Sequence, residues 1–121
     1  MRVLVLEDDE AARRTFSLCL EDAGHTVVSC DSLACAYKSL RTSKVELLIL
    51  DLFIGDGNSL GLAQYAGYAA PDAEIIIVTG SGRFAHGELL AEYPGVSWVL
   101  RKPLPVGDLE AIVNYAQTRA A

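Results

Sequence analysis

Cysteine is scarce in this chain. There are three, Cys19, Cys30 and Cys35, an odd number with no C-x-x-C spacing. That pattern argues against a disulfide framework and a zinc site, and leaves core or surface roles for all three. The two histidines, His25 and His86, lie far apart in sequence with no ligand-spaced partner. No apolar run approaches the roughly 20 residues that cross a bilayer, so no membrane partner is expected. The first residues, Met1–Glu7, form too short an apolar run for a signal peptide and meet acids at once, so the expected location is cytoplasmic. Positive charge is in the minority, with 10 Lys and Arg against 16 Asp and Glu and a net charge of −6. Such a surface repels phosphate backbones and anionic lipid, so no direct nucleic-acid partner is expected. Repeats, low-complexity tracts and linkers are missing as well. The 121 residues therefore read as one domain, 1–121, around one core.

What is present is a chain that is 51% hydrophobic and only 21% charged, the composition of a globular fold. Its organising stretch is Val45-Glu46-Leu47-Leu48-Ile49-Leu50-Asp51. Four large aliphatic residues run into one carboxylate, and a turn with Gly55 and Gly57 follows. A short continuous apolar run between turn signals is the mark of a strand buried on both faces. Similar runs occur at Val3–Leu6, Thr26–Val28, Glu74–Thr79 and Ser97–Leu100. Between them lie stretches with helical spacing. Asp9 caps one that ends at Gly24, and Ser32 caps a second carrying Leu33, Ala36, Tyr37 and Leu40. Ser59–Tyr68 forms a third, Ala85–Tyr93 a short fourth, and Pro105 opens a fifth with Leu109, Ile112, Val113 and Ala116 inward. Strand–helix alternation predicts an α/β fold, with a five-stranded parallel sheet covered by helices on both faces.

In such a sheet every strand's carboxyl end reaches one rim, and ligand crevices open there. The polar residues at those ends are Glu7 and Asp8, Asp51, Thr79, and Arg101 with Lys102. Clustered acids repel, by roughly 4 kcal/mol for two charges ~4 Å apart at an effective dielectric of about 20. A hard divalent cation with oxygen ligands offsets this, as does a lysine ammonium. Three acids, a hydroxyl and a lysine suit phosphoryl chemistry, with Asp51 as nucleophile and the cation and Lys102 neutralising charge on the transferred oxygens.

Across its whole length the sequence resembles the receiver domain of two-component response regulators. The matching parts are the acidic pair in "VLVLEDDE", the acceptor in "LLILDLFIGDG", the hydroxyl in "IIIVTG" and the lysine-proline in "VLRKPL". The resemblance implies a flavodoxin-like three-layer (βα)5 fold with strand order 2-1-3-4-5. It implies Asp51 as the phosphorylation site, and a Mg²⁺ site (Mn²⁺ being the other candidate ion) formed by Glu7, Asp8, Asp51 and the backbone carbonyl of Phe53. Thr79 and Lys102 would bond phosphoryl oxygens, and a cis peptide bond between Lys102 and Pro103 would aim the lysine inward. The implied partners are a sensor histidine kinase or histidine phosphotransfer protein as donor, and a separate protein as downstream target. A homodimer would use the face built by the fourth helix, fifth strand and fifth helix. The chain would catalyse only its own phosphorylation and dephosphorylation and so would not be an enzyme in the ordinary sense.

Three positions depart from the family pattern. Gly55 stands where the family usually has proline, which should loosen the loop without touching the chemistry. Gly80 stands where alanine is common. The switch aromatic is expected three residues before the lysine, and Val99 is there instead. Neighbouring Trp98 is placed by strand alternation on the other side, so either the strand bulges or the hydroxyl–aromatic readout is absent. The rival readings are weaker. A phosphorylation-independent pseudo-receiver should have lost site residues, and none is missing. A flavodoxin-like carrier needs a phosphate loop where Glu7–Glu10 stand, and an aspartyl phosphatase commonly needs an acid where Phe53 stands.

Overall fold

A computed structural model describes residues 1–80, 92–93 and 95–120. In chain order the elements are β1 (Arg2–Leu6), α1 (Glu10–Asp22), β2 (Thr26–Cys30), α2 (Leu33–Thr42), β3 (Leu47–Asp51), β4 (Phe53–Ile54), β5 (Gly57–Asn58), α3 (Leu60–Ala69), β6 (Glu74–Thr79), β7 (Trp98–Arg101) and α4 (Val106–Ala120). The expected fourth helix, Ala85–Tyr93, lies almost wholly on residues outside those described.

The main sheet has the order β2-β1-β3-β6-β7, and every pairing in it is parallel. This is the expected 2-1-3-4-5 order once the small antiparallel hairpin β4–β5 is set aside. β3 is central, and all five of its residues are buried. Alternation along the strands sorts the core into two layers. Leu4, Leu6, Leu48, Leu50, Ile75 and Ile77 pack with Ala36 and Leu40 of α2 and with Leu62, Ala63 and Ala66 of α3. Val3, Val5, Leu47, Ile49, Ile76 and Val78 pack on the other side with Phe16 and Leu20 of α1 and Leu109, Val113 and Ala116 of α4. Among the described residues the result is three layers, with α2 and α3 on one face and α1 and α4 on the other.

Local chemistry sets the boundaries. The Asp9 carboxylate accepts from the Ala12 amide at 2.8 Å, and the Ser32 hydroxyl accepts from the Cys35 amide at 3.2 Å, so both predicted caps are in place. Gly24, at φ 94°, takes the left-handed turn that lets the chain leave α1 for β2. At α3 the Asn58 side-chain oxygen Oδ1, not Ser59, accepts from the Leu60 amide at 3.0 Å. Among the described residues no helix is long and apolar enough to cross a membrane.

One expectation is overturned. Cys30 and Cys35 form a disulfide that joins the end of β2 to the first turn of α2. Counting cysteines missed it because a strand-to-helix turn brings the two Cα atoms to 5.5 Å, inside bridging range, without any motif spacing.

Candidate functional site

The carboxyl ends of β1, β3, β6 and β7 lie side by side, and the strand register brings their terminal residues together. Leu6 pairs with Leu50, Asp51 with Val78, and Thr79 with Arg101. Glu7 follows β1 directly and is only 2% exposed, while Asp8 is exposed. Asp51 is the last residue of β3 and is largely buried. One oxygen from each of Glu7, Asp8 and Asp51 falls within 4.8 Å of the others, a spacing at which carboxylates share a cation.

Lys102 reaches into this cluster from the turn after β7. Its Nζ donates to Glu7 Oε1 at 2.7 Å and to Asp51 Oδ2 at 3.2 Å. The Lys102–Pro103 peptide bond is cis, as expected. The Lys102 amide donates to the Thr79 carbonyl at 2.9 Å, tying the lysine's backbone to the end of β6. Thr79 is itself buried at that rim. Phe53 follows in the hairpin after Asp51, with its side chain turned partly to solvent.

Burial, then the hydrogen bond and charge of Glu7, push the Asp51 carboxyl up to about 6, and Lys102 pulls against them. Burial alone would lower the Lys102 ammonium, but the hydrogen bonds and charges of Glu7 and Asp51 outweigh it and raise the group. Two close acids with one lysine between them are thus short of positive charge. Hard oxygen donors at this spacing fit a divalent ion such as Mg²⁺ better than a soft metal.

Three supporting contacts have no sequence motif. Arg13 Nη1 donates to the Glu7 carbonyl at 3.0 Å. The Glu7 amide donates to the Cys30 carbonyl at 3.1 Å. The Gly55 amide donates to Asp8 Oδ2 at 3.2 Å, so Gly55 does touch the acidic cluster, contrary to its expected neutrality. Each involves a backbone group, which residue identity does not advertise. At the readout positions, the register of β7 against β6 runs without a bulge through Trp98 and Val99. Val99 is buried among the residues facing α2 and α3, and Trp98 packs on the opposite layer. Trp98 therefore does not take the place of the missing aromatic.

Comparison with known proteins agrees with this geometry. A family profile described as response regulator receiver domain matches residues 3–114. AlgB of Pseudomonas putida, an alginate biosynthesis transcriptional regulatory protein, is 37% identical over 78 residues, which are 64% of this chain and 17% of AlgB. The chain thus corresponds to a small part of that regulator. The response regulator receiver protein CpdR of Brucella abortus is 33% identical over 108 residues, covering 89% of each chain. A crystal structure of a response regulator from Burkholderia pseudomallei with a phosphorylated aspartic acid, calcium ion and citrate superposes with a TM-score of 0.81 at 29% identity, covering 98% of this chain and 68% of that one. With a family match that spans nearly the whole sequence and a sheet in the matching order, the chain belongs to the response regulator receiver domains of two-component signalling.

Proposed function

We propose that Asp51 accepts a phosphoryl group from a phosphohistidine on a sensor histidine kinase or histidine phosphotransfer protein. The observation that carries this reading is the convergence of Lys102 on Glu7 and Asp51, at 2.7 and 3.2 Å, beside the exposed Asp8. A carboxylate oxygen of Asp51 attacks phosphorus as the phosphorus–nitrogen bond breaks, and the imidazole departs with the electron pair and takes up a proton. Asp8, Asp51 and the Phe53 carbonyl would hold Mg²⁺, or Mn²⁺, with Glu7 behind them. When bound, the cation supplies positive charge to the transferred oxygens. Lys102 exchanges its contact with Asp51 for a phosphoryl oxygen, and the Thr79 hydroxyl bonds another.

The new group adds charge and acceptor oxygens at the rim. Thr79 and Lys102 are linked through backbone, so both follow it, and the surface around β7 and α4 changes for a downstream protein partner. With Val99 in place of an aromatic, the shift is carried by Thr79 and Lys102 alone. The expected setting is the cytoplasm, where such donors and Mg²⁺ occur together.

The test is to incubate wild type and Asp51→Asn with acetyl phosphate and Mg²⁺ and measure covalent phosphate by intact mass. Wild type should gain one phosphoryl group and the variant none. Equal labelling of the two, or none in wild type, would favour a phosphorylation-independent binding module instead.

A further inference from the structure

The disulfide lies one residue from the site. Cys30 ends β2 and pairs in register with Leu6, and its carbonyl accepts the amide of Glu7 at 3.1 Å. Glu7 in turn holds Lys102. Covalent bridge, Cys30 backbone, Glu7 and Lys102 are consecutive links.

The two sulfurs differ in ways that suit exchange chemistry. Cys35 is half-buried in the first turn of α2, where the helix N-terminus favours a thiolate. Cys30 is 1% exposed and is bonded to Cys35, the more open of the two. Ser39 Oγ lies 3.6 Å from Cys30 Sγ and donates to the Cys35 carbonyl at 2.9 Å, so one hydroxyl stands beside the bridge at the edge of an otherwise apolar layer. Cys19 is the contrast. Burial, then its hydrogen bond to Glu110, push its thiol up to about 11, which leaves little thiolate to react. In a reducing compartment a protein disulfide is more often transient or sensory than structural.

We propose that Cys30 and Cys35 form a reversible exchange site for low-molecular-weight disulfides, and that its state tunes phosphoryl acceptance at Asp51 through the Cys30 carbonyl and the Glu7 amide. The Cys35 thiolate attacks one sulfur of the small disulfide and releases one thiolate. Cys30, its proton lost to solvent, then attacks the Cys35 sulfur and releases the second. Two protein thiols and one small disulfide become one protein disulfide and two small thiols, and two electrons pass from the protein to the oxidant. Closure pins the end of β2 to α2, which fixes the carbonyl that positions Glu7. The coupling half of this proposal rests on the phosphoacceptor reading; the exchange half does not.

The experiment equilibrates the purified chain in glutathione buffers of graded ratio, then unfolds it in denaturant with a maleimide present, so that every free thiol including Cys19 is trapped, and counts them by intact mass. Two thiols should disappear together while Cys19 remains trapped, and Cys35→Ser should abolish the step. Lasting glutathione adducts with no Cys30–Cys35 bond would overturn the exchange site. The same samples then receive acetyl phosphate and Mg²⁺. The oxidised form should label about fivefold faster, the lower end of ordinary coupling between sites. Equal or slower labelling of the oxidised form overturns the coupling. No labelling of either form overturns the phosphoacceptor reading itself, and the thiol count still decides the exchange site.

Discussion

Lys102 is held closer to Glu7 than to Asp51, at 2.7 Å against 3.2 Å. The buried glutamate therefore competes for the lysine that the phosphoryl group would need. Glu7→Gln removes that competition. Lys102 should then pair with Asp51 alone, and the Asp51 carboxyl should fall from about 6, because the hydrogen bond and charge of Glu7 are among the causes that raise it. Loss of a supporting carboxylate should also weaken Mg²⁺ binding by roughly tenfold. Titrating Mg²⁺ into both proteins while following the Asp8 amide resonance checks this. Equal affinities would remove Glu7 from the metal set.

The raised Asp51 carboxyl predicts an unusual dependence of stability on pH. Its folded value of about 6 lies above the reference of 3.8, so between these values the folded state binds more protons than the unfolded state. Stability from this group is thus fully present below about 4 and is lost as pH rises toward 6. His25 acts in the opposite sense: burial, then the N-terminal charge, lower its value from 6.5, so its contribution is lost as pH falls. Asp51→Asn isolates the first effect. In metal-free urea titrations the difference between variant and wild type should grow from pH 4 to 7 in the variant's favour, reaching on the order of 1 kcal/mol. A difference that does not change with pH would mean that Asp51 keeps an ordinary carboxyl. Labelling with acetyl phosphate should run the other way and fall in acid, because the protonated carboxyl is a poor nucleophile. Mg²⁺ should move that fall to lower pH by favouring the charged form.

Much of this arrangement could be read before any coordinates. The aliphatic runs at Leu47–Leu50 and Glu74–Val78 announce strands buried on both faces, and Asp9 and Ser32 announce helix starts, because each signal is local. Convergence of Glu7, Asp8, Asp51 and Lys102 followed from parallel order alone, since such a sheet puts all carboxyl ends on one rim. The β4–β5 hairpin was not foreseen, because two-residue strands have no periodicity to detect. The Cys30–Cys35 bridge and the contacts of Arg13 and Gly55 were hidden for another reason. They depend on how turns aim backbone carbonyls and amides, and that is decided by the packed sheet rather than by residue type.

Trp98 packs on the sheet layer opposite Val99, in an aromatic group at the end of β7. Its ring meets Tyr115 edge-on at 5.9 Å, and the Arg119 guanidinium lies 5.8 Å from both rings. Arg119 also pairs with Glu74 at 3.7 Å, so the group ties α4 to β6 and β7 at the end of the sheet opposite the acidic rim. Trp98→Leu should cost about 1–2 kcal/mol from lost aromatic and cation–π contacts. The rate of Asp51 labelling should be unchanged. Urea denaturation and the acetyl phosphate assay measure the two effects separately, and slower labelling in a folded variant would return Trp98 to the signalling path.

Gly55 offers the sharpest separation of backbone shape from hydrogen bonding. Its φ is 56°, and a Cβ there would meet nothing within 4 Å, so any cost of adding one is conformational rather than steric crowding. Gly55→Ala keeps the amide that donates to Asp8 and should cost about 1 kcal/mol for the left-handed backbone. Its Mg²⁺ affinity should stay near wild type. Gly55→Pro restores the residue usual in the family, but its ring requires φ near −65° and it has no N–H. The turn must then refold locally, and Asp8 loses its tether. Weaker Mg²⁺ binding in the proline variant than in the alanine variant is therefore expected at similar stability. Identical affinities in the two would show that the Gly55 amide contributes nothing to holding Asp8 in place.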